Sequence, residues 1–586
     1  MFLATTAIDS FWDTRKKTVF LGSWCLLPSN EPALKNLEYE VMPSLWLDRE
    51  QYYLAGKYTY EIYHKLLDNL TEYLNAVHHT NHSKRFWQII LGPWLLSLIE
   101  TFYDRYRSIL KALDSYGEVE TILLDPGSFI TPHDMAHFAT FSYDDFCALQ
   151  QYSQVMNFLG IQCPVKGADI AMLSGRVRAK SKSLPQQTAF RLTSLLASKF
   201  SIALLDVNLP IRDLLHIALV SRFRAVPVYT HENLPCYEKI ISENRSGLAN
   251  LPCIDDFTRA LVASLPVNFP TLYLEGFEHL RRCMPASRHN SVLVTTGGLF
   301  ANERLKFYAA TFAENGGLLC GMQHGGLYRS AKWMPVERHE RDITDLYYTW
   351  GFNSTGSPLI RSLPNPKTNG SVKTSGPLKA LYLFVTTSHP RYLYRFTSTP
   401  VSDSFQEYIR WRSSFLNALS DYNRDYVLMR MYFSDYRRNE KDALLKEFPE
   451  LHFDTHQIAF ENRLSESTLL IIDHPVTTML QALASGKPTI LFWNPLHWEL
   501  RESAEPYFHS LRQAGILHDS SQGAAFKLNE ISGDPASWWN TPDVKGARDE
   551  FCRQFAKKST NWKKDWAEEF SKLLRPQGHR GWLGAK

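Results

Sequence analysis

The sequence predicts an α/β protein with two Rossmann-like domains that face each other across a cleft, and with an α-rich N-terminal elaboration. Two observations carry this prediction. From Ser291 onward, short apolar runs alternate with helical segments, and the alternation starts again after a stretch rich in proline and glycine. Earlier in the chain, Glu50–Leu113 repeats tyrosine and leucine at helical spacing. We therefore place the elaboration at 1–113, the first Rossmann-like domain at 114–353, a linker at 354–376 and the second Rossmann-like domain at 377–586.

The individual elements follow from the same patterns. In the first domain, Ser291–Gly298 and Gly317–Gln323 are strands that end in glycine loops, Asn302–Asn315 is the helix between them, and Thr121–Phe129 is a further strand. The predicted strands of the second domain lie within Ala380–Pro390, Tyr426–Phe433, Leu451–Asp454, Thr468–Asp473 and Pro488–Trp493. Its predicted helices are Ser404–Ser420, Asn439–Glu447 and Thr477–Ser485. A strand, a loop and a helix in repetition form the unit of a parallel sheet.

Composition excludes several classes of protein. The 586 residues are 44% apolar, which excludes disorder as the main state. The chain has 64 Lys and Arg residues and 60 Asp and Glu residues, which gives a net charge of +4. This charge balance is too even for a dedicated nucleic-acid-binding protein. Aromatic residues make up 13% of the chain, and they suit both a thick core and stacking on sugars or bases. The aromatic residues expected beside the candidate site are Tyr347, Trp350, Trp493 and Trp498.

Neither a metal site nor a membrane span is predicted. The eight cysteines are scattered without a C-x-x-C pair or a histidine cluster, so we expect free thiols. The most hydrophobic window, Trp87–Ile99, is shorter than a spanning helix and contains Gly92 and Pro93. The N-terminus lacks the basic start and apolar run of a secretory signal. We expect a cytoplasmic protein, with peripheral contact at the inner face of the cytoplasmic membrane at most.

The strongest local signal is the segment Leu469–Trp493. A buried strand ends at Asp473, and a turn with His474 and Pro475 places Thr477 and Thr478 at the start of a helix. Helix N-termini bind phosphate through free N–H groups and partial positive charge, so this turn is a candidate donor-binding element. The alternative is that a threonine only caps the helix.

A second signal is the segment Leu318–Ser330. A predicted strand ends in Gln323 and His324, and Gly325 with the next glycine lets a ligand approach the backbone. His324 is therefore the leading candidate for a general base, with Gln323 and Gly325 as donor contacts. Glu337 and Glu340 follow three residues apart and would share one helix face, as catalytic carboxylates or as a plain surface pair.

Two further residues complete the candidate set. Arg430, in the run Tyr426–Phe433, is a donor-binding candidate because arginine engages a phosphate or a carboxylate through two hydrogen bonds. Asp125, after the strand-like run that begins at Thr121, is a third candidate for the catalytic carboxylate. The P-loop and the G-x-G-x-x-G fingerprint are absent, and no D-x-D motif lies at a strand end to hold a cation.

Several blocks of the chain together resemble a family of transferases encoded in bacterial O-antigen and surface-polysaccharide clusters. These blocks are Phe20–Cys25, Arg85–Tyr106, the QHGGLY segment at 323–328, and Trp498–His518. The D-x-x-x-T-T turn that begins at Asp473 also resembles the donor-binding element of teichoic-acid polymerases and of capsule transferases that use CMP-activated sugars. His474-Pro475 is similar to the HP motif of bacterial sialyltransferases and Kdo transferases. The chain lacks a clear copy of the acidic motif of the sialyltransferases. The segments around Asp125 and at 143–145 resemble it only approximately.

The resemblance implies a GT-B glycosyltransferase, with the acceptor side in 114–353 and the nucleotide-sugar site in 377–586. It implies a CMP-linked donor, with a Kdo-like or nonulosonic acid as the sugar, and a surface-polysaccharide or lipid-linked glycan as the acceptor. No cofactor and no metal are expected, because the nucleotide sugar is a substrate. Two alternatives stay open: a CDP-polyol phosphotransferase or sugar-nucleotide epimerase of the same fold, and a non-catalytic glycan-binding module.

Overall fold

The computed structural model describes residues 1–168, 202–228, 242–282, 291–354, 360–368, 381–401 and 403–574. Two six-stranded sheets, each parallel throughout, form the two lobes of this part of the chain. The predicted pair of α/β domains is therefore confirmed. Strands of parallel sheets are covered on both faces, which explains why they appear in the sequence as continuous apolar runs.

The N-terminal region combines a small sheet with two long helices. Strands β1 (Phe2–Ala4), β2 (Thr18–Phe20) and β3 (Tyr39–Val41) are parallel, and the helices are α1 (Glu31–Leu34), α2 (Arg49–His78) and α3 (Lys84–Tyr116). Asp48 caps α2 and Ser83 caps α3 through their side-chain oxygens. These three strands are not predicted from the sequence, because each is only three residues long and lacks a periodic pattern.

A connecting segment leads to the first large sheet. It contains β4 (Leu123–Leu124), α4 (Met135–Phe141), α5 (Asp145–Phe158) and β5 (Val165–Lys166). The strand predicted within Thr121–Phe129 is thus only two residues long and pairs with β5, outside the large sheets. Asp125 follows it as the cap of a short 3-10 turn, with its side chain accepting from the Gly127 amide at 3.1 Å.

The sheet of the first lobe has the strand order β11-β10-β9-β8-β6-β7. Its strands are β6 (Ile202–Leu205), β7 (Ala225–Val228), β8 (Val292–Thr295), β9 (Leu318–Met322), β10 (Leu346–Thr349) and β11 (Ile360–Ser362). The described helices of this lobe are α6 (Ile211–Val220), α7 (Ser242–Leu248), α8 (Asp256–Asn268), α9 (Thr271–Leu274), α10 (Phe277–Arg282), α11 (Glu303–Glu314) and α12 (Pro335–Asp342). Strand β11 lies within the predicted linker, of which 355–359 and 369–376 fall outside the described residues.

The sheet of the second lobe has the order β14-β13-β12-β15-β16-β17. Its strands are β12 (Tyr382–Val385), β13 (Val427–Arg430), β14 (His452–Phe453), β15 (Leu469–Ile472), β16 (Thr489–Phe492) and β17 (Leu517–His518). Its helices are α13 (Asp403–Ala418), α14 (Asp421–Arg424), α15 (Glu440–Glu447), α16 (Phe460–Glu466), α17 (Thr477–Ser485), α18 (Glu505–Gln513), α19 (Ser521–Ile531), α20 (Pro535–Trp539) and α21 (Pro542–Phe555). Five strands lie where the sequence predicts them, whereas the two-residue β17 was not predicted.

Two segments cross between the lobes. The last described helix, α22 (Trp562–Leu573), packs its buried Trp566 and Phe570 against the sheet of the first lobe. The loop after β12, residues 386–401, enters the N-terminal helical region, where Arg105 Nη1 donates to the Leu393 carbonyl at 2.9 Å and Tyr52 donates to the Thr397 carbonyl at 2.8 Å. These buried contacts join the C-terminal part of the chain both to the first lobe and to the N-terminal helices.

Among the described residues, no helix is both long enough and apolar enough to cross a membrane. The predicted Trp87–Ile99 window lies inside α3, where nearly all of its side chains are buried in the core. Its hydrophobicity serves packing within the protein.

Candidate active site

A cavity of about 800 Å³ opens between the lobes at the carboxyl ends of β12, β13 and β15. This edge of a parallel sheet is where ligands bind in doubly wound folds. The second lobe contributes Val385–Thr387, Arg430–Phe433, His456, Phe460, Glu461, His474, Val476–Thr478 and Gln481 to the wall. The first lobe contributes Asn208–Pro210, Arg212 and Asp213, and Pro366-Lys367 closes the cavity from the segment after β11.

The predicted phosphate turn forms part of this wall. Helix α17 begins at Thr477, and the residue at its N-cap is Val476, whose side chain makes no capping hydrogen bond. Neither threonine is therefore the cap, contrary to the alternative that the sequence left open. The Thr477 hydroxyl oxygen accepts from the Gly326 amide at 2.8 Å, and the Thr478 hydroxyl lies 2.7 Å from His474 Nε2.

Asp473 and His474 are both buried under the turn. The Asp473 carboxylate accepts from Tyr408 Oη at 2.6 Å and from Arg412 Nε at 2.8 Å, and it lies 2.7 Å from His474 Nδ1. Burial opposes ionisation of Asp473, but Arg412, His474 and Tyr408 together hold its pKa below the usual range. Asp473 is not among the residues that line the cavity, and its described partners are Tyr408, Arg412 and His474.

The remaining donor candidates of the second lobe have structural partners. Pro475 is buried and shapes the turn. Arg430, the last residue of β13, donates to Asp454 and to the Ile458 carbonyl while its side chain forms part of the cavity wall. The guanidinium is therefore held in place at the cavity, where it adds positive charge to the wall.

The loop after β9 brings the first lobe to α17. Gln323 is buried, with its Nε2 donating to the Gly325 carbonyl and its Oε1 accepting from the Trp350 amide, both at 2.9 Å. Its role in the structure is to hold the turn. A Cβ atom on Gly326 would lie 2.4 Å from the Val476 carbonyl carbon, so only glycine permits this approach of backbone to backbone.

His324 sits beside the cavity with its side chain 34% exposed. Tyr328 Oη lies 3.2 Å from His324 Nδ1 and donates to Glu340 at 3.0 Å, and Tyr347 donates to the same carboxylate at 2.6 Å. Burial raises the pKa of Glu340. Lys367 donates to the His324 carbonyl at 3.2 Å, and burial lowers the pKa of this lysine.

Glu337 and Glu340 lie on one helix, α12, but they point to different partners. The buried Glu337 carboxylate accepts from the Arg329 amide and from Arg501 Nη2, each at 3.0 Å, and Arg341 lies 3.9 Å away. Glu337 therefore joins the loop after β9 to the second lobe. None of the predicted site residues of the first lobe is among the residues that line the cavity: Asp125, Gln323, His324, Gly325, Glu337 and Glu340. The loop that carries His324 reaches the cavity wall through the contact of Gly326 with Thr477.

The aromatic residues predicted to stack on a ligand do not face the cavity. Tyr347, Trp350, Trp493 and Trp498 are all at most 3% exposed and belong to the core, so that expectation is wrong. Three other aromatic residues line the cavity: Tyr432, Phe460 and the largely exposed Phe433. Tyr432 and Phe433 end the run that contains β13, and the carboxyl end of that predicted strand was the signal that could have found them.

The described residues contain no group of three or more His, Cys, Asp or Glu side chains that could hold a metal ion. The charged side chains that line the cavity are Arg212, Lys367 and Arg430, which is paired with Asp454, together with Asp213 and Glu461. A phosphate would also meet the partial positive charge of the first turn of α17. That the reaction needs no metal ion remains a prediction.

Comparison with known proteins identifies one family. Residues 1–570 match the model of the LIC12162 family transferase. No curated protein sequence matches the chain. Solved structures to which the chain is similar include the wall teichoic acid polymerase TagF (10% identity, TM-score 0.32, covering 68% of this chain and 99% of that one). They also include the UDP-GlcNAc 2-epimerase from Neisseria meningitidis, with 12% identity and a TM-score of 0.34, covering 63% of this chain and 99% of that one. The pneumococcal O-GlcNAc transferase GtfA has 12% identity and a TM-score of 0.34, covering 52% of this chain and 60% of that one. Because these TM-scores are low, the fold is assigned from the strand order of the two sheets.

Proposed function

The chain belongs to the LIC12162 family of transferases, and from this premise we propose that it is a glycosyltransferase that uses a nucleotide-sugar donor. The donor is CMP-linked with a Kdo-like or nonulosonic sugar, and the acceptor is a surface-polysaccharide or lipid-linked glycan. The observation that carries the proposal is the meeting of the His324 loop of one lobe with the N-terminus of α17 of the other, beside a cavity of about 800 Å³. The candidate base and the candidate phosphate site thereby lie close to the same contact between the lobes.

The second lobe suits the nucleotide. The first turn of α17 and the positive charges of Arg430 and Lys367 favour phosphate. Tyr432, Phe433 and Phe460 offer ring faces for a base or a sugar. An acidic sugar would add a carboxylate, which Arg212 at the opposite wall could pair with.

The first lobe supplies the base. The Tyr328 hydroxyl donates its hydrogen bond to Glu340, so its oxygen accepts from His324, whose Nδ1 at 3.2 Å lies nearer than Nε2 at 3.4 Å. With the hydrogen on Nδ1, Nε2 keeps a free electron pair. His324 Nε2 then takes the proton of the acceptor hydroxyl as that oxygen attacks the anomeric carbon. The bond from the anomeric carbon to the phosphate oxygen breaks, and the charge left on the nucleotide phosphate is stabilised at α17.

A panel of CMP-, CDP-, UDP- and GDP-linked compounds tests the proposal. We expect thermal stabilisation and slow hydrolysis of one class of nucleotide sugar, with CMP-linked sugars foremost. Stabilisation by none of them would overturn the glycosyltransferase assignment. A preference for CDP-glycerol or CDP-ribitol would favour a polyol-phosphate transferase, and isomerisation of a donor without acceptor would favour an epimerase.

Peripheral membrane contact is part of the same proposal. Helix α6 exposes Leu215 (42%), Leu219 (62%) and Val220 (40%), and Phe223 (50%) follows it; we name these four residues the α6 apolar face. The face is flanked by exposed Arg222 and Arg224, which complement the negative charge of an anionic bilayer. The helix starts directly after Asn208–Pro210 in the cavity wall, so a bilayer on this face would present a lipid-linked acceptor near the cleft.

A further inference from the structure

Five aromatic rings form a continuous row that begins at the cavity wall. In order they are Phe433, Tyr432, Tyr436, Tyr143 and Tyr394, and we name this set the aromatic row. The centroids of successive rings lie 4.2, 6.5, 6.0 and 5.3 Å apart. Phe433 and Tyr432 line the cavity, whereas the other three rings are not among the residues of its wall. The row therefore leads from the cavity to a surface outside it.

Arg395 connects the far end of the row to the surroundings of His324. Its Cζ atom lies 4.5 Å from the centre of the last ring of the row and 5.9 Å from the centre of the Phe300 ring. The Phe300 amide donates to the Gly297 carbonyl at 3.1 Å, and a Cβ atom on Gly297 would lie 3.3 Å from His324 Cδ2. Arg395 also interacts electrostatically with Tyr328, the hydrogen-bond partner of His324. One end of the row thus adjoins the cavity and the other adjoins the candidate base.

The rings of the row are more exposed than the aromatic residues of the core. Phe433 is 79% exposed, and the other four rings are partly exposed. Tyr392, only two residues before Tyr394, is by contrast 2% exposed. Exposed apolar ring area costs free energy in water, and a ligand that covers it recovers that free energy. A continuous set of exposed rings beside a cavity is therefore typical of a binding surface.

The charges near the row indicate which class of ligand it binds. The exposed residues next to its tyrosines in sequence are Asp144, Asp435 and Arg437, and Arg437 is paired with Asp145. A nucleic-acid strand needs a positively charged groove along its stacking rings, which these mixed charges do not provide. A sugar needs no such groove, because the C–H face of its ring stacks on an aromatic face. Four of the five rings are tyrosines, whose hydroxyls can also bond to sugar hydroxyls.

We propose that the aromatic row binds the acceptor glycan, with more than one of its sugar rings stacked on the row and its accepting hydroxyl at the end that Arg395 connects to His324. The inference rests on the proposed function, since only a transferase has an acceptor, and it names the acceptor as an oligosaccharide chain. The guanidinium of Arg395 supplies hydrogen-bond donors for the sugar at that end.

An array of bacterial surface monosaccharides and oligosaccharides, probed with the labelled full chain, tests the proposal. We expect the wild type to bind oligosaccharides more tightly than single sugars. Tyr394→Leu with Tyr436→Leu removes two rings that do not line the cavity, and it should weaken oligosaccharide binding about tenfold or more. Tyr394→Phe with Tyr436→Phe keeps the rings and should bind within about threefold of the wild type. Tyr422→Leu, at an exposed tyrosine on α14, is the matched control and should not change binding.

Hydrogen exchange of the wild type gives a readout that needs no variant. Adding the oligosaccharide that binds most tightly should slow amide exchange in the segments 394–395 and 432–436. Failure of the wild type to bind any oligosaccharide, equal binding by the wild type and the double leucine variant, or unchanged exchange in both segments would each overturn the inference. The proposed function fails by a different result, namely that none of the nucleotide-linked compounds stabilises the wild type.

Discussion

The Gly326 amide of the first lobe donates to the Thr477 hydroxyl of the second lobe across 2.8 Å. A Cβ atom on Gly326 would lie 2.4 Å and 2.5 Å from backbone atoms of Val476 and Thr477, so the two backbones are in direct contact. This contact lies two residues from His324 and at the first residue of α17. This backbone approach, together with the contacts of Ser330 and Lys332 with residues 499–501, therefore fixes the loop that carries His324 relative to the start of α17.

Gly326→Ala tests that contact. Both atoms that the new methyl group would meet belong to the backbone, which cannot rotate away, so one lobe must shift. We expect lower thermal stability and at least a 100-fold loss of transfer, since misplacement of reacting groups by about 1 Å has effects of this size. Gly546→Ala is the control, because a Cβ there meets no atom within 4 Å. Unchanged transfer in Gly326→Ala would show that the contact is not required.

The variant His324→Asn tests whether His324 acts as the general base. The exchange removes the imidazole beside the cavity but leaves α17 and the nucleotide side untouched, so donor affinity should stay within about twofold. Single-turnover transfer should fall by roughly 100- to 10,000-fold, the range for loss of a general base. His509→Asn, at an exposed site on α18, should have no effect. Loss of donor binding without loss of the chemical step would make His324 a donor contact.

Glu337→Gln distinguishes a structural carboxylate from a catalytic one. Arg329, Arg341 and Arg501 all lie within 4.0 Å of this buried group, and neutralising it leaves three cations facing one another. We expect a loss of about 3 kcal/mol in the free energy of unfolding, measured by urea denaturation. The rate of the chemical step at saturating substrates should change little. A large fall in that rate with unchanged stability would instead favour a catalytic role.

Glu100 gives a pH dependence of stability. Burial raises its pKa to about 8, against an ordinary value of 4.5. Between these values the unfolded chain releases the proton while the folded chain keeps it, so the folded state loses stability as pH rises through this window. The loss should be complete above about pH 8.

The variant Glu100→Gln should remove this term. The difference in free energy of unfolding between the variant and the wild type should increase from pH 5 to about pH 8 and then stay constant. For a pKa shift of this size the increase is at most about 5 kcal/mol. Denaturation at a series of pH values measures it, with the exposed Glu118→Gln as the control. A difference that is flat across the whole range would contradict a raised pKa.

The α6 apolar face predicts binding to anionic membranes. Wild-type protein should sediment with vesicles that contain phosphatidylglycerol, less so at high salt, and poorly with pure phosphatidylcholine vesicles. Leu219→Asp with Phe223→Asp should weaken this binding about tenfold or more. Phe526→Asp removes another exposed aromatic residue, in the second lobe, and should not matter. Equal losses in both variants would count against a specific face.

Local sequence was sufficient to predict most elements near the site. Helix α17 begins and ends where the sequence predicts, at Thr477 and Ser485, because a buried strand, a Pro turn and Gly486 delimit it. His474 and Thr478 were also identified as cavity residues, since they follow the carboxyl end of a parallel strand. Signals of this kind depend only on neighbours along the chain.

The partners of those residues depended on tertiary structure. Glu337 and Glu340 are three residues apart on one helix, yet one meets arginines of both lobes and the other meets the tyrosines behind His324. Trp493 and Trp498 follow a predicted strand closely but are buried, whereas Phe433 faces the cavity. Sequence alone determined the two α/β lobes, the turn before α17 and the glycine loop that carries His324, because each depends on local periodicity and turn chemistry. Only the tertiary structure decided which carboxylate lies behind His324 and which aromatic residues line the cavity, because both depend on how separate elements pack and not on spacing along the chain.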